Sequence, residues 1–178
     1  DTPPDMAIPE HGRTIVNGAV EEFGAEATIS LFENKEVSHQ EKIAAADHGE
    51  AARQALSWLN VNAAKRPGPP AIGRLDAVGH RVVHGGDRFS TPVRINNDVI
   101  TGIEELEDLA PLHNAPAVSV IRASQEALGS ALPMVAVFDT EFHRSIPPQP
   151  YTCPTPLVLA RRHPIRRHGV HGVAHPSR

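Results

Sequence analysis

Cysteine is nearly absent from this chain: Cys153 is the single one among 178 residues. One cysteine excludes an intramolecular disulfide and suits a reducing compartment, most simply the cytosol. Its setting, "YTCPTP", has prolines on both sides and no obvious base, so it reads as structural rather than nucleophilic. Aromatic residues are also scarce, at 4%, so the core must be built from Val, Ile, Leu and Ala. No stretch approaches the roughly 20 apolar residues of a membrane-spanning helix, and no membrane partner is expected. No basic segment followed by an apolar run opens the chain, so no secretory signal is visible. Positive charge is not in excess either. The net charge of −4, with His neutral, gives no field that would draw nucleic acid. The phosphate-loop pattern G-x-x-x-x-G-K-[ST] and the dinucleotide pattern G-x-G-x-x-G are both missing. The first residue is Asp1 rather than Met, which reads as a trimmed, processed or partial product.

Proline and histidine are what the chain has in abundance. Its 17 prolines imply many loops and turns, and its 11 histidines crowd into the second half. A hydrophobic share of 40% in a chain of this length is enough for one sizeable core. Residues 1–13 read as a polar, proline-rich loop. "TIVNGAVEEFG" and "EATISLF" alternate apolar and polar residues with β-branched content, as strands of a meander do. "NKEVSHQEKIAAAD" is polar and ambiguous. Asp47 is placed to cap a helix over "HGEAARQALSWLNVNAA", where Ala51, Ala52, Ala55, Leu56 and Leu59 recur at helical spacing. "RLDAVGHRVVHGG" reads as a strand running into a glycine turn. "NNDVITGIEELEDLA" fits a helix that starts at Asn97 or Asp98, with Ile100, Ile103 and Leu106 on one face. "PLHN" interrupts, and "APAVSVIRASQEALG" is a second helix with Gly129 as its stop. "PMVAVF" is nearly all apolar, the pattern of a buried parallel strand, and "DT" follows it. Strands alternating with helices favour an α/β class with a mixed sheet and flanking helices.

Four polar clusters fall where these elements end: Arg81 with His84, Gly85 and Gly86; His113 with Asn114; Asp139 with Thr140 and His143; and His171 with Gly172 and His175. In open α/β sheets ligands gather beyond the carboxyl ends of strands, so these are the candidate site residues. Asp139 suits a carboxylate that orients an acceptor or a hydrated Mg²⁺, and equally a turn or helix cap. Arg81 lies within an apolar strand, where a guanidinium requires an anionic partner. That partner is either a structural carboxylate or a bound carboxylate or phosphate. His168, His171 and His175 admit a transition-metal reading, but no Cys or acidic residue lies among them and glycines break the local sequence.

Taken in order, "AVGHRVVHGG", "LAPLHN", "VAVFDTEFH" with the following "IPP", and "IRRHGVHGVAH" resemble the first half of the acetate and propionate kinases. The resemblance is dense from about Asp76 to His175 and continues back to about Val16. It implies a ribonuclease H-like lobe of the kind shared by actin, sugar kinases and heat-shock ATPases. It also implies reversible phosphoryl transfer between ATP and acetate or another short-chain carboxylate, giving acyl phosphate and ADP in the cytoplasm. ATP/ADP and Mg²⁺ are the implied cofactors, and a homodimer formed through a lobe outside these residues is the implied assembly. By the resemblance Arg81 binds the carboxylate or phosphoryl group, and Val83 and Leu112 wall the apolar pocket for the acetate methyl. His113 is a nearby polar residue. Asp139 is the catalytic acidic residue, acting on Mg²⁺ only through water, and His171 steadies the transferring phosphoryl group. Phosphoryl transfer needs such groups, because positioning and charge stabilisation do most of its work.

The chain departs from the family in several places. No Asn- and Ser-rich phosphate loop precedes the meander, and no glycine-rich nucleotide loop follows. The expectation is therefore one partial N-terminal domain over residues 1–178, poorly active alone and left with an unpaired sheet edge that favours instability or association. Glu141 stands where the family has a small residue, Val170 where it has an aromatic, and His168 where it has tyrosine. Val173 and Ala174 replace hydroxyl residues, and Pro176 does not continue the expected helix. A non-catalytic interaction module of the same fold is the alternative reading.

Overall fold

The computed structural model describes residues 17–21, 24–33, 36–63, 75–141 and 169. His143, Cys153, His168, Val170, His171, Val173, Ala174, His175 and Pro176 lie outside these residues, and with them the role expected of His171. The chain divides into two compact units, Asp1–Ala46 and Asp47–Arg178.

The first unit is a three-stranded antiparallel meander of β1 (Asn17–Glu21), β2 (Gly24–Glu33) and β3 (Glu36–Ala45). The two strands expected here are present. The polar stretch left ambiguous forms the third strand. β3 is exposed along nearly its whole length. Such a strand has no apolar stripe to announce it, and it exists because β2 supplies its hydrogen-bonding partners. Ala27, Ile29 and Leu31 alternate into the buried side of β2, and Ala45 closes it.

The second unit opens with α1 (His48–Ala63). Asp47 caps it, its Oδ1 accepting from the Glu50 amide at 2.8 Å. The sheet that follows has the order β4 (Val78–Val82), β6 (Met134–Phe138), β5 (Val93–Arg94). β4 and β6 run parallel, paired from Val78 with Met134 to Val82 with Phe138. β5 is antiparallel to β6 and too short to show in the sequence pattern. The sheet is mixed, as expected, and β4 is paired on one side only among the described residues.

Two helices complete the unit. In α2 (Asn97–Glu104) the first helical residue is Asn97, but the cap is Asn96, whose Oδ1 accepts from the Val99 amide at 2.9 Å. The helix ends sooner than its sequence suggested, and Glu107–Leu109 form a 3-10 turn. α3 (Pro111–Leu128) begins inside "PLHN", which was expected to interrupt. Pro111 sits in the first turn, where a missing amide removes no helical bond. Gly129 ends α3 with a φ of 84°, a conformation that favours glycine. The core gathers Val82, Phe89, Ile100, Ile103, Ile121 and Phe138, with the Phe89 and Phe138 rings stacked at 4.9 Å. No helix among the described residues is long and apolar enough to cross a membrane.

Candidate functional site

The register of β4 against β6 builds the site. Arg81 pairs with Val137, so Asp139, two residues beyond Val137 and just past the end of β6, comes out on the same side of the sheet as Arg81. The two side chains meet although 58 residues separate them. Arg81 Nε donates to Asp139 Oδ1 and Oδ2 at 3.0 and 3.1 Å, and Nη2 donates to Oδ2 at 2.6 Å. The Asp139 carboxylate is wholly buried, while the Arg81 side chain is 53% exposed. This two-pronged pair answers why an arginine stands in this strand: it neutralises a carboxylate that could not otherwise stay charged in the interior. The hydrogen bonds from Arg81 to Asp139 hold the guanidinium above its ordinary, already high pKa, against the opposing effect of burial.

Beyond the strand ends the chain is fixed by polar contacts. The His84 amide donates to Asn114 Oδ1 at 3.2 Å, and Asn114 Nδ2 donates back to the His84 carbonyl at 3.0 Å. The Gly85 amide donates to Thr140 Oγ1 at 3.1 Å, joining the exit of β4 to that of β6. The Gly86 amide donates to His84 Nδ1 at 3.0 Å. Gly86 has a φ of 58°, which favours glycine, and a Cβ there would lie 2.7 Å from Leu106 Cδ2, so Leu106 would have to shift.

An open cavity of about 410 Å³ lies beside β4, bounded by α3 and the start of α1. Arg81 and Val83 both line it, so the arginine and the apolar wall expected to share one cleft do share it. Leu112 and His113 line it from the first turn of α3. Thus four of the expected site residues come together. Asp139 is not on the wall; it stands behind Arg81 and grips it.

Other lining residues were not singled out in the sequence. His48 contributes from the first turn of α1, and Pro116, Ala117 and Val120 from α3. Only helical periodicity relates these last three, and that pattern marks any packed face. His80 lines the cavity too, but its ring is turned to the buried side of β4, and its Nε2 has no partner among the described residues. Burial pushes its imidazole below the usual histidine pKa. No cluster of three or more metal-ligand side chains occurs among the described residues.

The acetokinase family profile matches residues 5–177. The acetate kinase of Helicobacter hepaticus is 41% identical over 167 residues, covering 92% of this chain and 40% of the relative. That of Geobacillus kaustophilus is 40% identical over 161 residues, covering 90% and 39%. Among solved structures, Porphyromonas gingivalis acetate kinase superposes with a TM-score of 0.81 at 32% identity, covering 92% of this chain and 41% of that one. A propionate kinase from Francisella tularensis gives 0.76 at 30% identity, covering 92% and 40%. The chain therefore spans about 40% of the length of the curated relatives it matches. Its mixed α/β arrangement is consistent with part of a ribonuclease H-like lobe. With the profile matched over nearly every residue, and with the same fold in the solved kinases, this chain belongs to the acetokinase family.

Proposed function

We propose that these residues form the carboxylate-binding side of an acetate kinase-type phosphotransferase. The reaction is reversible transfer of the ATP γ-phosphoryl group to acetate or another short-chain carboxylate. A carboxylate oxygen forms the new bond to phosphorus, the bond to the ADP oxygen breaks, and acyl phosphate and ADP result. The acceptor is already ionised at neutral pH, so it needs no general base. It needs orientation and charge neutralisation, because two anions must approach one another.

The observation that carries this reading is Arg81: a half-exposed guanidinium on a cavity wall, anchored from behind by a buried carboxylate. Held in this way, the arginine presents fixed positive charge without reorganising when an anion arrives. Val83 and Leu112 give the apolar surface for a short alkyl group, and His113 adds a polar group beside it. Asp139 acts here by positioning Arg81. An apolar pocket of this kind separates acyl chains by only about 1–3 kcal/mol per methylene, so propionate is a natural second substrate.

ATP and Mg²⁺ are proposed for the whole protein. The Asp139 oxygens are engaged by Arg81 and shielded from solvent, so the described residues do not fit a direct Mg²⁺ site. His171 lies outside the described residues, and its proposed role is to steady the transferring phosphoryl group.

Acetyl phosphate formation from acetate and MgATP by the full-length protein tests the reading. The expected result is activity that falls by about 100-fold or more in Arg81→Ala and Asp139→Ala. Absence of acyl phosphate formation in the wild type, with acetate or propionate, would sink it.

A further inference from the structure

Asn114 sits in the first turn of α3 yet is wholly buried. A buried carboxamide is unfavourable unless its donors and acceptor are bonded. Here they are directed at two backbone segments. Oδ1 accepts from the His84 amide at 3.2 Å, while Nδ2 donates to the His84 carbonyl at 3.0 Å and to the Leu106 carbonyl at 3.5 Å. The two bonds to His84 imitate the reciprocal pairing of a neighbouring strand, at the point where β4 has ended. Leu106 in turn packs on Gly86. The exits of α2 and β4 and the entry of α3 thus meet at one side-chain amide.

We propose that Asn114 is a positioning residue that sets the width of the cavity, an inference that rests on the carboxylate-kinase reading above. His113, on the α3 wall, is its neighbour in the chain. Val83, on the β4 wall, is the neighbour of its partner His84. One residue step of about 3.8 Å separates each end of the clamp from a wall residue, so little slack lies between clamp and cavity. The amide touches no ligand. It holds Leu112 and His113 at a set separation from Val83 and Arg81. Loosening it widens this cavity, so binding of the carboxylate weakens and binding of the nucleotide does not.

Asn114→Asp separates a clamp from a mere filler of space. The shape is kept, and a carboxylate still accepts from the His84 amide. But its second oxygen then faces the carbonyls of His84 and Leu106, and only a protonated acid donates to them. The defect of this variant therefore shrinks as pH falls.

The test uses the full-length protein, with KM for acetate, KM for MgATP and kcat measured near pH 7.5 and pH 6. Hydrogen exchange is followed in the segment containing His84. Asn114→Asp is expected to raise KM for acetate about tenfold or more, leave KM for MgATP within about twofold, and speed exchange at His84. The rise in acetate KM and the loss of protection at His84 are both smaller at the lower pH. An acetate KM within about twofold of wild type, or equal rises in both KM values, overturns the proposal. If Asn114→Asp does not fold, Asn114→Ser, whose short hydroxyl cannot make both bonds to His84, is held to the same KM and exchange criteria near pH 7.5, with no pH dependence expected. If the wild type makes no acyl phosphate, the parent reading fails. Exchange at His84 then decides the clamp alone, and unchanged protection overturns it.

Discussion

The two units of this chain bury different kinds of side chain. In the first, the described buried residues are Ala27, Ile29, Leu31 and Ala45, with Ser30 the one polar group among them. Long antiparallel ladders hold it together. In the second, the strands are at most five residues long. Yet that unit buries a connected apolar core and, with it, His80, His84, Asn114, Ser124 and Asp139. Polar groups fixed in an apolar surround are what a site for charged substrates needs, since their geometry is set before the substrate arrives. The buried polar groups are therefore a physical ground for proposing the second unit as the place of the chemistry.

The largest test of that contrast is Phe138→Ala. Phe138 is almost fully buried, stacks on Phe89 and stands directly before Asp139. Its loss is expected to lower unfolding stability by about 3–5 kcal/mol in denaturant titration. Val37→Ala in β3, where Val37 is 54% exposed, should stay within about 0.5 kcal/mol. A Phe138→Ala loss below about 1 kcal/mol would mean that the core of the second unit does not support its site as described.

The same contrast explains what was legible in the sequence. "PMVAVF" announces β6 because a central strand with one face buried and the other half-buried is apolar throughout. β3 was not legible because nearly all its side chains face water, so no apolar alternation marks it. "PLHN" misled because proline reads as a break, while at the first turn of a helix it has no amide bond to lose. At the site, Arg81 was recognisable as needing an anion. Which anion could not be decided before the parallel register brought Asp139 beside it. Asn114 stood out only as the neighbour of His113. Its bonds run to backbone atoms of His84 and Leu106, which carry no side-chain signature.

A smaller effect is expected from acid. Burial lowers the folded-state pKa of His80, so between that value and its unfolded value near 6.5 the unfolded chain binds the extra proton. The stability tied to neutral His80 is present above about pH 6.5 and is lost as pH falls through the folded-state value. His80→Gln should lose less stability than wild type between about pH 7.5 and pH 5.5. Equal losses in both proteins would show that His80 keeps the same pKa in both states.

The smallest effect is expected at the most conspicuous ion pair of the first unit. Lys42 Nζ lies 2.9 Å from Glu26 Oε2, bridging β3 and β2, but both side chains are more than two-thirds exposed. In water the attraction is offset by hydration and by the lost freedom of two long side chains, and salt screens what remains. The register does not depend on the pair. Lys42 is set opposite Thr28 by the ladder, and the inward Ala27, Ile29 and Leu31 fix which face of β2 is buried. Lys42→Gln should therefore change unfolding stability by less than about 0.5 kcal/mol, with the same result at low and high salt. A salt-sensitive loss above about 1 kcal/mol would show that charge, rather than the ladder, holds β3 in place.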